Sequence, residues 1–237
     1  MHKHLSELVE KLKAAAGANL KSAVLYGSAA GGEFHAEHSD LNVLLVLERL
    51  GLTELEKLNS TARWWESKGH PAPLVFTPEE LARSADVFAI ELLDIKARHE
   101  VLAGEDFFTA LEVPLNLHRA QVERELRTNL VRLRQHYLAG SGNRKAVLKL
   151  MTESVSSFGT LFRHALIALG EQRPQHKRDA VDGLAALLGF DPSPFHTILD
   201  LRAGRRRAQA IDVPATFSGY LEAVARVTHE IDVRFTY

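Results

Sequence analysis

Cysteine is absent from the 237 residues, which removes disulfides, thiolate metal sites, a cysteine nucleophile and thiol redox chemistry from consideration. Nor does charge of either sign dominate: 29 Lys and Arg stand against 30 Asp and Glu, a formal net charge of -1. Such a chain gathers neither nucleic acid nor an anionic membrane through its overall field, so nucleic acid is not an expected partner except through a local patch. No stretch approaches the roughly 20 apolar residues of a membrane span, and the opening Met-His-Lys-His lacks the apolar segment of a signal peptide. The expectation is a cytoplasmic chain without membrane association. What is present, 46% hydrophobic and 25% charged residues, suits one large domain or two modest ones.

Apolar periodicity divides the sequence in two. Leu5, Leu8, Val9 and Leu12 recur at helical spacing before Gly17. Ala23-Val24-Leu25-Tyr26 is a short apolar run broken at Gly27-Ser28, a polar glycine-bearing stretch leads to Ser39, and residues 41–47 are apolar again. The pattern predicts helix, strand, loop, strand. Helical spacing returns over 53–67, residues 73–76 read as another strand, 88–98 as a helix and 100–102 as a small edge strand. Thr77, Pro78 and Glu80 carry the signature of a capping box with proline in the first turn.

Past Pro114 helices are expected over 117–139, 145–169, 177–188, 195–210 and 217–235. They are punctuated by Gly140-Ser141-Gly142, Gly170 with Pro174, Gly189 with Pro192, and Asp212-Val213-Pro214. The expected class is α+β: a mixed sheet with helices over residues 1–110, then an all-α helical bundle over 111–237.

Chemistry concentrates in Leu25-Tyr26-Gly27-Ser28-Ala29-Ala30-Gly31-Gly32 and Ser39-Asp40-Leu41-Asn42-Val43-Leu44. Residues two apart on a strand share a face, so Asp40 and Asn42 present their side chains together. A Gly-Ser pair leaving one strand, followed by Asp-x-Asp or Asp-x-Glu opening the next, resembles the polymerase-beta-like nucleotidyltransferase superfamily. Small bacterial two-domain members of the kanamycin nucleotidyltransferase type, which carry a helical bundle after this domain, are the most similar. The resemblance covers about the first hundred residues by motif and element order, and the remainder by architecture alone.

That resemblance implies a nucleotidyltransferase-type sheet, a nucleoside triphosphate as ligand, Mg2+ as cofactor and an acceptor that is a small molecule or a protein hydroxyl. Gly27 would let the backbone approach the phosphates and Ser28 would donate to them. Asp40, as the catalytic acid, and its neighbour at position 42 would hold magnesium that bridges the triphosphate and activates the attacking hydroxyl.

The sequence departs from the pattern at two places. Asn42 stands where the second acid belongs, and its amide brings an oxygen but no charge, leaving Asp40 and Asn42 a weak magnesium site. The strand candidate Pro71-Ala72-Pro73-Leu74-Val75-Phe76 carries no third carboxylate. The expectation is a catalytically weak or inactive homologue, a pseudoenzyme serving as a nucleotide-binding or regulatory module. The alternative, an active magnesium-dependent adenylyltransferase, needs another acid, from Glu79, Glu91 or the helical half, where Glu123 and Glu153 are candidates that i to i+4 surface pairing explains equally well.

Other features favour structural readings. His35 and His38 fit a solvated loop better than a ligand set, and at least one ring of Trp64-Trp65 belongs in the core. Arg202, Arg205, Arg206 and Arg207 lie near Asp200 and suit a solvated helix face. Arg132 to His136 is one residue too short for the ribonuclease motif that some helical partners carry. The apolar faces of the long helices fit intramolecular packing, a homodimer seam or a partner chain, as in toxin and antitoxin pairs.

Overall fold

Successive residues from Leu41 onward alternate between two apolar environments. In the computed structural model, which describes residues 3–27, 29–30, 40–174 and 176–234, Leu41, Val43, Leu45 and Leu47 are buried with Leu5, Leu8 and Leu12. Leu44 and Val46 are buried in a different cluster with Val24, Leu92, Ile95 and Phe108. This is the period-two pattern of a strand covered on both faces. The strands are β1 (Leu20–Tyr26), β2 (Asn42–Leu47), β3 (Leu74–Phe76) and β4 (His99–Gly104), in the spatial order β3-β2-β1-β4. The sheet is mixed: β1 runs antiparallel to β2 and β4, and β2 parallel to β3.

Helices α1 (Lys3–Ala16) and α2 (Leu52–Glu66) contribute Leu5, Leu8, Leu12, Leu58 and Trp65 to the first cluster. Helices α3 (Pro78–Arg83) and α4 (Ala89–Ala97) contribute Leu81, Leu92 and Ile95 to the second. The capping box at α3 forms as expected: Glu80 N donates to the Thr77 hydroxyl at 3.1 Å and Thr77 N to the Glu80 carboxylate at 2.9 Å. These elements belong to one compact unit, Met1–Leu115, and the remaining helices to another, Asn116–Tyr237.

The second unit comprises α5 (His118–Gly140), α6 (Arg144–Ala168), α7 (Lys177–Leu188), α8 (Ser193–Arg202) and α9 (Val213–Val233). Its core is aromatic: Phe195 stacks on Tyr220 at 4.2 Å and lies 4.9 Å from Phe162. Buried His118 and His164 share a hydrogen bond of 2.9 Å between Nε2 and Nδ1.

Two boundaries differ from the sequence expectation. The helix expected over 195–210 ends at Arg202, because Gly204 turns left-handed (φ 70°) and the Asp200 carbonyl accepts from Arg205 N at 2.8 Å. The helix expected from 217 begins at Val213 instead. Asp212 caps it by accepting from Ala215 N at 3.2 Å, and Pro214 sits in its first turn, so the supposed break is a start signal. Among the described residues no helix is long and apolar enough to cross a membrane.

Candidate functional site

At one end of the sheet, register brings three side chains into a row. Asn42 is the cross-strand partner of Tyr26, and Tyr26 is that of His99 on the other side. Parity places Asn42 and Tyr26 on the face of Val24, Leu44 and Val46, the one packed by α3 and α4. Asp40, two residues before Asn42, is exposed at the entrance to β2.

Gly27 follows Tyr26 with φ 81°, a left-handed conformation that glycine alone adopts without strain. A Cβ there would lie 3.3 Å from Asn42 Nδ2. The Asn42 amide thus lies directly against the turn at Gly27, and a side chain at that position would press on it. Ser28, His35 and His38 lie outside the described residues.

The entry of β2 is fixed from the opposite face. Leu41 is buried in the α1 and α2 cluster, and its N–H donates to His70 Nδ1 at 3.4 Å. The His70 ring in turn packs 4.3 Å from the fully buried Trp65. Buried Leu41 sits between Asp40 and Asn42, so its anchoring fixes the backbone from which both project.

Among the described residues no group of three or more His, Asp or Glu side chains is placed to hold a metal ion. Asp40 and Asn42 supply one carboxylate and one neutral amide. The parallel register pairs Leu44 with Leu74, Leu45 with Val75 and Val46 with Phe76, so β3 brings no charge against β2. Glu79 pairs with Arg83 at 3.0 Å on the surface of α3. Glu123 pairs with Arg127 at 2.9 Å and Glu153 with Lys149 at 3.5 Å, both at i to i+4 spacing. Glu91, in the first turn of α4, is different: burial pushes the Tyr26 phenol above its usual value, and the Glu91 charge pushes it further.

His99 braces the far end of the row. Its Nδ1 bonds the Ile95 carbonyl at 2.9 Å and its Nε2 the Asp106 carboxylate at 3.1 Å. Asp106 also accepts from the Thr109 hydroxyl at 2.5 Å and from the N–H groups of Phe108 and Thr109 at 2.8 and 3.1 Å. These bonds, led by the Thr109 hydroxyl, hold its carboxyl down at about 2.

A carboxylate held below its ordinary value stabilises the folded chain fully above about pH 4, the unfolded value, and loses that contribution as pH falls toward about 2. Comparing acid unfolding of the parent and Asp106→Asn checks this. The stability gap is expected to shrink below about pH 4, and a gap that stays constant means the charge does not hold the turn.

The remaining sequence candidates are absorbed into packing. Trp65 is core, while half-buried Trp64 has Lys11 Nζ 5.0 Å from its ring centroid. Arg202 donates to the Thr152 carbonyl, Arg205 to Asp200 and Arg206 to the Thr197 hydroxyl, which ties the basic cluster to its own unit. Tyr26, His70 and His99 were not assigned roles from sequence, because strand register and a turn bring them in and no local motif marks them.

No protein-family model matches this sequence, and no curated protein does. Among solved structures, spectinomycin adenyltransferase AAD(9) from Enterococcus faecialis, determined with ATP and spectinomycin, aligns over 96% of this chain and 99% of its own at 15% identity, with a TM-score of 0.57. A toxin-antitoxin structure with AMP-PNP aligns over 52% of this chain and 93% of its own at 15% identity, with a TM-score of 0.32. The chain has the fold of the nucleotidyltransferases of the polymerase-beta type, a mixed sheet with helices followed by a helical unit.

Proposed function

We propose that this chain is a cytoplasmic nucleotide-binding protein on a nucleotidyltransferase scaffold, which transfers nucleotidyl groups weakly or not at all and acts by binding, as a regulatory module. The sheet-bearing part, ending near residue 110, is the nucleotide-binding part, and the helical part from 111 onward faces an acceptor or a partner. The observation that carries this reading is Asn42: against the turn at Gly27, where the motif has a second acid, stands a neutral amide. In-line transfer depends on cations held against the triphosphate, and a neutral amide in place of a carboxylate weakens that hold.

The test is calorimetric titration with ATP and GTP beside a pyrophosphate-release assay over small-molecule and protein acceptors. Binding without release is the expected result. Magnesium-dependent transfer at an ordinary enzymic rate, on the order of 1 s⁻¹ or faster, overturns it.

A second reading, an active magnesium-dependent adenylyltransferase acting on a small-molecule or protein hydroxyl, is favoured by one observation, the Glu91 charge acting on Tyr26. The neighbour determined with ATP and spectinomycin adds to it. On that reading Glu91→Gln abolishes transfer while leaving the fold intact.

A further inference from the structure

On the face of the sheet packed by α1 and α2, the two helices contribute matching triads to one groove. Lys11, Ala14 and Ala15 on α1 and Lys57, Ser60 and Thr61 on α2, each set at i, i+3, i+4 spacing, line a space of about 380 Å³. The helices meet through Leu8, Leu12, Leu58 and Trp65, and Ala14 and Ala15 give the groove a wall without long side chains. We infer that this groove is a binding site for a small phosphomonoester, separate from the nucleotide site and on the other side of the sheet.

Thr61 carries the inference. It is 5% exposed, and its hydroxyl has no hydrogen-bond partner among the described residues. Other helical threonines close on their own helix: Thr152 and Thr228 donate to the Leu148 and Val224 carbonyls, four residues back, both at 2.8 Å. Thr61 makes no such bond to Lys57. Nor is its oxygen sealed from solvent, so it opens on the groove that the residue lines. A hydroxyl held on a buried side chain without a protein partner costs stability that a valine of the same outline avoids. A ligand oxygen supplies the partner.

The charge of the lining selects an anion. Lys57 makes no hydrogen bond or ion pair among the described residues. Lys11 is held with its ammonium 5.0 Å from the Trp64 ring centroid and 3.6 Å from Glu7. Among the described residues no acid lines the groove, although Asp and Glu outnumber Lys and Arg over residues 1–115. Two ammonium groups match a dianion better than a monoanion, and a phosphomonoester carries roughly two negative charges at neutral pH with three acceptor oxygens. Those oxygens suit Lys11, Lys57 and the hydroxyls of Ser60 and Thr61. The space far exceeds a bare phosphate and lies within the range of small-molecule sites, which leaves room for the organic body of the ester along Ala14 and Ala15. The opposing effect is Glu7, which neutralises part of Lys11. Its side chain is exposed, where water and salt screen it.

The test titrates glycerol 2-phosphate into the intact chain by calorimetry at fixed ionic strength, beside inorganic phosphate and acetate, and repeats the titration in excess ATP. The parent is expected to hold the ester at a dissociation constant of about 1 mM or tighter, with no change in ATP. Inorganic phosphate should bind about threefold more weakly and acetate about tenfold more weakly, for want of the organic body and of the second charge. Thr61→Val and Lys57→Gln should each weaken binding of the ester by about fivefold or more. Thr61→Val should also unfold in urea at a concentration equal to or above that of the parent, which a structural role for the hydroxyl would not allow. Lys57 is exposed, so its variant reads the charge even where Thr61→Val disturbs packing.

Absence of ester binding by the parent at about ten times the expected dissociation constant, binding that ATP abolishes, or affinity unchanged in both variants overturns the inference. Acetate or inorganic phosphate held as tightly as the ester overturns the choice of ligand. None of these results bears on the nucleotide reading, which ATP titration tests by itself.

Discussion

Gly104→Ala is expected to lower the unfolding free energy of the sheet-bearing unit by about 3 kcal/mol or more, in the range that only named core or backbone failures reach. Gly104 closes β4 with φ 81°, and a Cβ there would lie 1.9 Å from the Lys21 carbonyl oxygen, 2.7 Å from its carbon and 3.0 Å from Ser22 Cα. All three are backbone atoms of the neighbouring strand, so no side-chain rotation relieves the clash. Relief means separating β1 from β4, which breaks Glu105 N to Lys21 O at 3.0 Å and Ser22 Oγ to the Glu105 carbonyl at 2.6 Å. Gly69→Ala is the control. It has a similar φ of 86° but nothing within 4 Å of the added carbon, so it should cost only about 1 kcal/mol of left-handed backbone strain. Both tryptophans, Trp64 and Trp65, lie in this unit, and their fluorescence in a urea titration reports it selectively. Equal costs for the two alanines would show that the contact at Lys21 yields.

Trp65→Ala is expected to cost about 3 to 5 kcal/mol and, unlike an ordinary core truncation, to weaken nucleotide binding as well. The ring is fully buried among the α1 and α2 cluster and supports His70 at 4.3 Å. His70 in turn accepts from Leu41 N, between the two motif residues Asp40 and Asn42. Removing the ring leaves a cavity beneath that contact and frees the entry of β2. Trp65→Phe keeps an aromatic surface for His70 and should retain most of the affinity at a smaller stability cost. Urea unfolding and ATP calorimetry on the same samples check both parts. Full affinity in a folded Trp65→Ala protein would mean that Asp40 and Asn42 are positioned without His70.

The order of elements in the first part was legible because its signals are local. Alternation along residues 41–47, helical spacing at Leu5, Leu8 and Leu12, and the capping box at Thr77 each depend on neighbours a few positions apart. The same holds for the Gly27 turn. What could not be read was pairing at a distance. Tyr26, Asn42 and His99 form a row only because β1 lies between β2 and β4, and no spacing in the chain states that order. The charge of Glu91 reaches Tyr26 for a similar reason: α4 packs on that face of the sheet. The two helix ends that differ from expectation have local causes. Asp212 followed by Pro214 reads equally as a break or as a cap with a first-turn proline, and only its acceptance from Ala215 N decides.

Among the described residues the sheet ends in β3 on one side and β4 on the other, and neither invites a stranger. On one side β3 is only 3 residues long, too brief to template an added strand. On the other, β4 carries exposed Glu100 and a register shift against β1, and it ends in the left-handed turn at Gly104. Short, charged and kinked borders are the features that keep natural sheets from growing chain to chain. Overexpression and refolding at high concentration should therefore be limited by exposure of the two cores, not by strand-to-strand stacking of the folded protein.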